Sequence, residues 1–353
     1  MQRPLPVTTR GGIAALLLLC AVICFGCGPR AKPKLYIYCN ETFWYVIQEE
    51  AAFFSQAYDF RVFLIPLRAS RTSAVEETVE VNSDHRAPAP WRPREQEPEQ
   101  TTTTPQPRLS HTINAEIKEQ IQRIAQENFG DCFLSDSQRH HEELIRLALA
   151  VKEFPVCYLT LTMLVPEGNS LRFRSIKEVL SSDKILGIVD PAVDGLGESS
   201  WKVLGKIAGD ESAIPRELIK IYERQYDLLE ALEQGNIDAA LVWDATSLTN
   251  FLLIKYADSY NAENKQLLRE AARKRDPTIL QDILRDMYED LLETMSFAET
   301  VPLTENPDER CVIAVKLVAL GTTSRFGYCE RFADFIRSRQ GADILRRFGF
   351  VPE

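Results

Sequence analysis

Apolar and polar residues follow one another along the chain in blocks that predict an α/β fold. Short apolar runs between turn-forming residues predict buried strands at residues 35–39, 61–66, 131–135 and 156–165. Apolar residues at helical spacing predict helices between these strands, at residues 42–58, 113–129 and 137–151. A strand–helix–strand opening of this kind is typical of α/β proteins.

A second block with the same alternation begins near residue 175. It contains predicted helices at 175–180, from Ser199 onward and at 214–234, and predicted strands at 185–189 and 239–243. A return strand at 311–320, helices at 327–338 and 341–348, and the segment 350–352 complete the pattern. Two α/β sets joined by the long strands 156–165 and 311–320 predict two lobes, each a mixed sheet flanked by helices. The two crossover strands then act as a hinge, and ligands of open α/β sheets lie at the carboxyl ends of the strands, here in the cleft.

The pattern also predicts where each lobe begins and ends. Lobe 1 comprises residues 34–160 and 312–353, and lobe 2 comprises residues 161–311. Residues 81–111 contain six prolines among Glu, Gln and Thr, and they bury too little apolar surface to offset the entropy of ordering. We therefore expect a disordered insertion in lobe 1, and an extra helical segment at residues 250–297 in lobe 2.

The N-terminus has the pattern of a secretory signal. Arg3 and Arg10 precede an apolar run at residues 11–25, which is shorter than the roughly 20 residues that a membrane-spanning helix needs. Gly26-Cys27 resembles the lipobox of bacterial lipoproteins, with Cys24 where such boxes usually carry Leu. The resemblance implies lipidation of Cys27 and a protein held in the periplasm or on the outer face of the cytoplasmic membrane. Plain secretion and a retained membrane anchor are the alternatives.

Composition excludes several functions. The 353 residues are 45% hydrophobic and 26% charged, an ordinary globular mixture, and a net charge of -10 gives no basic surface for nucleic acid. The chain lacks a G-x-S-x-G elbow, an H-E-x-x-H motif, a Walker loop and a dinucleotide fingerprint. Asp190, Asp194 and Glu198 resemble an acid/base set, but such clusters are common in turns. We predict a monomer that is not an enzyme, has no catalytic residue and needs no cofactor.

His140-His141-Glu142-Glu143 has the residue types of a metal site but not the spacing. Adjacent helical residues point about 100° apart and chelate poorly, so the segment is interpreted as a solvated helix start and no metal ligand is assigned. The mature body has five cysteines, an odd number, none with zinc-ribbon or C-x-x-C spacing. Buried thiols and one or two disulfides are both open, and the sequence does not pair them.

Several segments in order resemble one family. Residues 130–136, GDCFLSD, are similar to "ADLFISAD", and residues 234–243 are similar to "GEAPAGIVY". Asp190-Pro191 followed by Gly195-Leu196-Gly197 is similar to a "DP…PAG" turn, and residues 346–350 look like "KKYGF". These motifs belong to periplasmic solute-binding proteins of the molybdate and tungstate type, which deliver an oxyanion to an ATP-driven importer. The resemblance covers nearly all of the mature chain except residues 81–111 and about 250–297.

The resemblance implies a site built from hydroxyls and backbone N–H groups. It places the ligand-binding residues at Asn40, Thr42, Ala69, Ser70, Leu196, Gln225 and Trp243. Helix starts offer unpaired N–H donors and a partial positive charge, which suits an anion. Gln225, which the family has at a helix start, falls here inside the predicted helix 214–234.

The chain departs from the family at the site itself. Asn40 replaces a serine, Trp243 replaces a tyrosine but keeps one N–H donor, and Glu41 and Asp244 add carboxylates. Arg68 or Arg71 would compensate if either faced the ligand. The implied function is capture of a small oxyanion, molybdate-like or tungstate-like, for the permease of an ABC importer. The alternatives are an envelope sensor or scaffold lipoprotein with the same fold, and a binder of a metal or cationic ligand through Glu41, Asp194 and Asp244.

Overall fold

The structure is a computed structural model of the whole chain. It describes residues 32–67, 79–81, 115–168, 171–210, 213–244, 247–252, 255, 297–303, 311–322 and 324–353, with the backbone alone at 79–81 and 116. The predicted signal with Cys27, the residues Arg68, Ala69, Ser70 and Arg71, and nearly all of the segments 81–111 and 250–297 lie outside the described residues. The chain forms two compact units, residues 1–33 and 34–353, and the described residues of the first, Lys32 and Pro33, have no regular secondary structure.

One mixed sheet runs through residues 34–353. Its described strands are β1 (Lys34–Cys39), β2 (Arg61–Pro66), β3 (Val79–Val81), β4 (Cys132–Ser135), β5 (Ala150–Pro166), β6 (Leu186–Val189), β7 (Ile219–Tyr222), β8 (Ala239–Trp243), β9 (Ala298–Val301), β10 (Val312–Leu320) and β11 (Val351–Pro352). Their order across the sheet is β3-β2-β1-β4-β10-β5-β8-β6-β7, and β9 and β11 both pair with β5.

Helices flank the sheet. They are α1 (Trp44–Tyr58), α2 (Ala115–Glu127), α3 (Gln138–Arg146), α4 (Ile176–Leu180), α5 (Gly195–Ala208), α6 (Gln225–Glu233), α7 (Phe326–Arg337) and α8 (Arg339–Arg347). Residues 247–252 are also helical. Among the described residues, no helix combines the length and the apolar character that crossing a membrane requires. The mixed sheet with flanking helices confirms the predicted α/β class.

Strand β5 divides the sheet into two halves. Its residues up to Thr160 pair with β10, and its residues from Leu161 pair with β8, with β9 alongside from Met163. We call β1–β4, β10, β11 and their helices the first half, and β6–β9 with α4–α6 the second half. The change of partner falls between Thr160 and Leu161, and the lobe boundary expected at this point stays a prediction.

The first half buries apolar residues on both faces of its strands. Strand β1 is parallel to β2 and β4, and β10 runs antiparallel to β4. Helices α1 and α7 cover one face, where the ring of Phe54 lies 5.1 Å from that of Phe332. Helices α2 and α3 cover the other face with Ile117, Ile121 and Leu144, which pack with Phe133 of β4. Burial of β4 on both faces explains why its sequence is continuously apolar and does not alternate with polar residues.

The second half repeats this parallel arrangement. Strand β6 lies between β7 and β8 and is parallel to both. The carboxyl ends of β1 and β4 in the first half, and of β6, β7 and β8 in the second, lead into the loops and helix starts that carry polar residues. Such ends are where open α/β sheets bind ligands.

Three predicted elements are wrong in extent. The helix predicted at 137–151 ends at Arg146, and Ala150 already begins β5. The helix predicted at 214–234 contains strand β7, whose alternating Ile219, Lys220 and Ile221 fit an edge strand covered on one side only. The helix predicted from Ser199 begins at Gly195, where Asp194 caps it by accepting a hydrogen bond from the N–H of Gly197.

Candidate ligand-binding site

The carboxylate of Asp136 lies at the centre of the polar residues between the two halves. Its Oδ1 accepts hydrogen bonds from Asn40 Nδ2 at 2.6 Å and from the backbone N–H of Gly195 at 3.1 Å. Its Oδ2 accepts from Trp243 Nε1 at 2.7 Å and from Thr42 Oγ1 at 3.0 Å. We call these four donors the donor cradle. Asp136 is 6% exposed, so its negative charge is held by neutral donors in a buried site.

Each donor is placed by the end of a parallel strand. Asn40 follows β1, and Thr42 lies in the short 3-10 turn Glu41–Phe43 that leads into α1. Trp243 is the last residue of β8, and Gly195 is the first residue of α5, in the connection after β6. The N–H groups of a first helical turn have no partner within the helix, so Gly195 is free to donate outward. Asp136 itself follows β4, the strand beside β1.

A chain of hydrogen bonds orients the donor cradle. The backbone N–H of Trp243 donates to Ser247 Oγ at 3.0 Å, and Ser247 Oγ donates to Gln225 Oε1 at 3.2 Å. Gln225 Nε2 then donates to Thr42 Oγ1 at 2.7 Å, which leaves the hydroxyl proton of Thr42 for Asp136. Because every bond points the same way, each strengthens the next. Asn250 Nδ2 adds a bond to the backbone oxygen of Thr42 at 2.9 Å.

Asp194 is a second buried carboxylate beside the first. Its Oδ1 accepts from the N–H of Gly197 at 2.9 Å, and its Oδ2 accepts from Gln225 Nε2 at 3.2 Å. Burial, and next the charge of Asp136, raise the pKa of Asp194 well above its ordinary value. Burial also raises the pKa of Asp136, while the hydrogen bond from Trp243 and the other donors lower it. The site therefore resists a further negative charge unless one of these carboxyls is neutral or moves away.

Glu41 is half-buried next to the start of α6. Burial raises its pKa to about 7, although the charge of Arg224 and a hydrogen bond from the backbone of Tyr226 act in the opposite direction. Arg224 also forms a bidentate ion pair with Asp227, with bonds of 2.9 and 2.5 Å. Glu41 therefore belongs to a contact between the halves at the start of α6, and it is a further group whose charge depends on pH near neutrality.

Gly195 permits a close approach of the two halves. A Cβ on this residue would lie 2.1 Å from the backbone oxygen of Asp136 and 2.8 Å from the backbone nitrogen of Ser137. Both atoms belong to the main chain and cannot rotate away. Only glycine therefore lets the start of α5 lie against the turn after β4, where its N–H reaches Asp136.

A cavity of about 400 Å³ opens beside the site, between α3, α5 and the strands β5 and β10. Glu198 lies in its wall, is buried, and pairs with Lys202 at 2.7 Å. Lys316 and Glu153 form another ion pair there, at 2.5 Å. Asp136 and Glu142 also line the cavity, so its acidic side chains outnumber its two lysines.

The structure brings together four of the residues that the sequence assigned to ligand binding. Asn40, Thr42 and Trp243 donate to one carboxylate, and Gln225 supports Thr42. At the position assigned to Leu196, the N–H that reaches the carboxylate belongs to the neighbouring Gly195, while Leu196 is buried. Ala69 and Ser70 lie outside the described residues.

The structure changes the predicted position of Gln225 within its helix. Strand β7 separates it from the residues before it, so that Gln225 is the first residue of α6 and not an internal one. Sequence reasoning missed Asp136, although it ends the "ADLFISAD"-like segment and follows a strand that neighbours β1. The adjacency of those two strand ends was the available signal.

The interpretation of His140 as part of a solvated helix start is wrong. His140 is buried, its Nδ1 lies 2.8 Å from Ser135 Oγ, and burial lowers its pKa to about 3. A hydrogen bond to the backbone of Val193 links it to the second half. Within the described part of the chain, no group of three or more His, Cys, Asp or Glu residues is arranged to hold a metal ion.

Known structures share this architecture across almost the whole chain. The Azotobacter vinelandii periplasmic molybdate-binding protein has a TM-score of 0.52 and 12% identity, with 90% of this chain and 98% of that chain covered. Iron-bound HitA from Pseudomonas aeruginosa has a TM-score of 0.55 and 12% identity, with 91% and 86% covered. The sulfate-binding protein SubI from Mycobacterium tuberculosis has a TM-score of 0.50 and 10% identity, with 91% and 87% covered. At these identities the likeness establishes the fold, which is the predicted two-lobed periplasmic-binding-protein fold.

The site and the fold define a class of protein that closes two lobes over a solute. Residues 111–351 match the family described as bacterial extracellular solute-binding protein, and the chain belongs to that family. Because this is a family of binding proteins, the prediction that the chain is not an enzyme is confirmed. No curated protein matches the sequence.

Proposed function

We propose that this solute-binding protein captures a small oxyanion between its lobes and presents it to the permease of an ABC importer. The observation that carries the proposal is the donor cradle: four neutral donors, two from each half, converge on the two oxygens of one anionic group. A site that spans both lobes favours the closed form when an anion fills it. The family is extracellular, which supports a location outside the cytoplasmic membrane.

Neutral donors select among anions by geometry and protonation. A fixed array of N–H and O–H groups loses bonds when a ligand presents its oxygens wrongly, and an unsatisfied buried donor costs about 1–3 kcal/mol. Asn40 Oδ1 is in addition a buried acceptor without a partner among the described residues. A ligand oxygen that carries a proton satisfies this acceptor. Protonated oxyanions should therefore be tested as ligands together with molybdate and tungstate.

The likeness to known structures supports an anion without fixing it. The neighbours include proteins named for molybdate and sulfate, and also an iron-bound one. Here the carboxylates of Asp136 and Asp194 already engage donors of the site, and Glu41 engages the start of α6. They are therefore not arranged as free ligands for a cation, and the oxyanion is the better-supported solute.

The lipid anchor is a separate part of the proposal. The lipobox-like Gly26-Cys27 supports acylation of Cys27, which tethers a monomer beside its permease on the outer side of the membrane. Cys27→Ala should release the protein from the membrane fraction into the periplasmic extract. Retention of this variant in the membrane would contradict the anchor and leave the solute site untouched.

The test of the solute is thermal unfolding of the full-length protein with molybdate, tungstate, sulfate and phosphate, and with divalent metals in parallel. A ligand at 100 times its dissociation constant adds about 2.7 kcal/mol to the free energy of unfolding. We expect at least one oxyanion to raise the melting temperature saturably. Stabilisation by a metal alone, with no effect of any oxyanion, would contradict the proposal.

The structure also favours a second candidate, an envelope sensor or scaffold protein. The donor cradle is satisfied by a side chain of the protein, so the two halves meet without a solute between those donors. A protein of this kind binds no oxyanion in the panel above and still requires its closed surface for a partner. Neighbouring genes for a permease and an ATPase favour transport, and a neighbouring sensor kinase favours signalling.

A further inference from the structure

The four bonds to Asp136 reproduce what a bound anion does in a two-lobed receptor. Asn40 and Thr42 reach the carboxylate from the first half, and Gly195 and Trp243 reach it from the second. Each oxygen accepts one donor from each half. Asp136 belongs to the first half through β4, so its two bonds to the second half cross the interface between the lobes.

Further contacts show that the turn after β4 is a fixed part of this interface. Ser137 Oγ donates to Glu198 Oε2 of α5 at 3.3 Å, and Arg139 donates to the backbone oxygen of Pro191 at 2.8 Å. Gly195 packs directly against the main chain of Asp136. The carboxylate is therefore held in the donor cradle by its own backbone as well as by its hydrogen bonds.

We propose that Asp136 is a built-in ligand: its carboxylate fills the anion position of the site, joins the two lobes, and sets which solutes are able to enter by having to be displaced. This inference rests on the proposed function only in identifying the donor cradle as the solute site. The ligand class that fits the emptied position is a small monocarboxylate such as formate, because the donors are paired on two oxygens of one planar group.

Displacement makes Asp136 the residue that determines specificity. An intramolecular carboxylate competes at a high effective concentration, so weakly bound anions are excluded. A solute enters only if it gains more from the site than Asp136 does, which favours oxyanions with more than two acceptor oxygens. Removal of the carboxylate should then relax the specificity and raise the affinity for small anions.

The experiment compares full-length wild-type protein with Asp136→Ala in a formate titration at constant ionic strength. The variant keeps all four donors and leaves a space of carboxylate size. We expect formate to raise the melting temperature of Asp136→Ala saturably and to leave the wild type unchanged. Asp238→Ala is the matched control, since Asp238 Oδ2 accepts a bond from the backbone N–H of Ile185 at 2.8 Å at a half-buried position outside the site. The melting temperature of Asp238→Ala should show no saturable response to formate.

The NMR resonance of the Trp243 indole N–H reports formate binding at one of the four donors. The protein has four tryptophans, and the indole N–H resonance of Trp243 is assigned by its loss in Trp243→Phe. This resonance should move in Asp136→Ala and return toward its wild-type position as formate binds. If Asp136 had only a structural role, formate would not return this resonance toward its wild-type position.

A second variant keeps the inference testable if Asp136→Ala does not fold. Asp136→Asn has the same shape, but its NH₂ group faces donors and makes it a poorer occupant. We expect it to bind the oxyanion of the panel at least tenfold more tightly than wild type. Equal or weaker binding would overturn the inference.

The outcomes separate this inference from the proposed function. If wild type binds an oxyanion while Asp136→Ala ignores formate and Asp136→Asn gains no affinity, the built-in ligand is wrong and the solute-binding proposal stands. If wild type binds no oxyanion while Asp136→Ala takes up formate, the built-in ligand stands and the sensor or scaffold candidate gains.

A different observation independently carries a second inference, about two cysteines outside the donor cradle. Cys132 of β4 and Cys329 of α7 are both buried, and their sulfur atoms lie 2.7 Å apart. Two thiols this close on a strand and on the helix that covers it are positioned for a bond. The family is extracellular, and an exported protein reaches a compartment where disulfides form and persist.

We infer that Cys132 and Cys329 form a disulfide that fastens α7 to β4. The oxidant is a disulfide of the compartment: one cysteine thiolate attacks it to give a mixed disulfide, and the other cysteine then displaces the leaving thiol. The protein loses two protons and two electrons, and the oxidant becomes two thiols. Because burial raises the pKa of Cys132 well above its ordinary value, we expect the exchange to take place before α7 covers the strand.

The test is peptide mapping of full-length protein exported to the periplasm and alkylated without reductant. We expect one cross-linked peptide pair that contains Cys132 and Cys329, and its loss in Cys329→Ala. Alkylation of Cys132 and Cys329 in the unreduced protein, at the level seen for Cys157, would overturn the inference.

Discussion

The indole N–H of Trp243 donates a hydrogen bond of 2.7 Å to the carboxylate of Asp136. Trp243 ends β8 and Asp136 follows β4, so this single bond joins the carboxyl ends of two strands that belong to different halves of the sheet. The family resemblance places a tyrosine at this position. Tryptophan keeps one donor there, the indole N–H that reaches the carboxylate.

Trp243→Phe should destabilise the protein through the loss of that donor. The change keeps most of the ring, so it leaves one oxygen of a buried carboxylate short of a partner, which costs about 1.5–3 kcal/mol for a hydrogen bond to a charged group. Urea unfolding monitored by circular dichroism measures this loss. Affinity for the oxyanion should fall in the same variant, since the donor cradle then has three members.

Trp201→Phe is the matched control for this prediction. Trp201 is also buried in the second half, but its Nε1 has no hydrogen-bond partner among the described residues. Its replacement removes a similar amount of ring without removing a bond. Equal loss of stability in the two variants would show that ring packing, and not the bond to Asp136, accounts for the effect of Trp243.

Gly195→Ala should prevent the lobes from meeting at the start of α5. The added Cβ would lie 2.1 Å from the backbone oxygen of Asp136, so one of the two main chains must move and the N–H of Gly195 loses its acceptor. We expect a loss of more than about 2 kcal/mol in the free energy of unfolding, as for other overpacked sites. We also expect a more open molecule by small-angle X-ray scattering.

Gly327→Ala provides the comparison for Gly195. A Cβ at Gly327 meets nothing within 4 Å, and the residue is exposed near the start of α7. This change should leave stability unchanged or raise it by up to about 1 kcal/mol, because alanine favours the helix. If Gly195→Ala had the stability and the scattering dimensions of the wild type, the close contact between α5 and the turn after β4 would not be maintained in solution.

The sequence predicts the donors of the site better than it predicts their occupant. Asn40, Thr42 and Trp243 were reached through strand ends and motif resemblance, because the carboxyl ends of parallel strands meet at one edge. Asp136 was missed because an anion site gives no reason to look for a carboxylate as its filling. Its position, beside the end of β1 in an adjacent parallel strand, is fixed by pairing that the sequence does not display.

Gln225 shows a second limit of the sequence pattern. A four-residue edge strand, β7, lies between segments with helical spacing, and the local pattern merges all of them into one helix. Pairing with β6 is what makes these residues a strand, and pairing is a long-range property. The correction moves Gln225 to the start of α6, where its side chain supports Thr42.

Acidification should destabilise the protein through His140. Burial lowers the pKa of His140 to about 3 in the folded protein, whereas the unfolded chain takes up this proton near pH 6.5. Between these values the unfolded state binds more protons, so stability falls as the pH drops. The contribution of this one residue is about 1.4 kcal/mol per pH unit in that window.

His140→Gln tests this dependence by difference. The difference in unfolding free energy between variant and wild type, measured by urea titration, should shift in favour of the variant between pH 6.5 and pH 5. Other groups titrate equally in both proteins and cancel. A difference that is constant across this range would contradict a buried neutral His140.

Glu41 gives the opposite dependence near neutral pH. Its pKa is raised to about 7 in the folded protein, above its ordinary value of 4.5, so the folded state holds the proton more tightly than the unfolded chain does. Unfolding therefore releases a proton between these two values, and the stability that Glu41 contributes is lost as the pH rises from about 4.5 to about 7. Glu41→Gln keeps an acceptor for the backbone N–H of Tyr226. Because glutamine does not ionise, the variant does not lose this stability as the pH rises.

We expect the advantage of Glu41→Gln over wild type to grow from pH 5 to pH 8 in urea unfolding, and affinity for the oxyanion to decline above pH 7 in wild type alone. Arg224, Asp227 and Asp194 also face Glu41, and they are present in both proteins. Glu142→Gln on the exposed surface of α3 is the control and should show no such trend. An advantage independent of pH would mean that Glu41 stays charged in the folded protein, because the charge of Arg224 then outweighs burial.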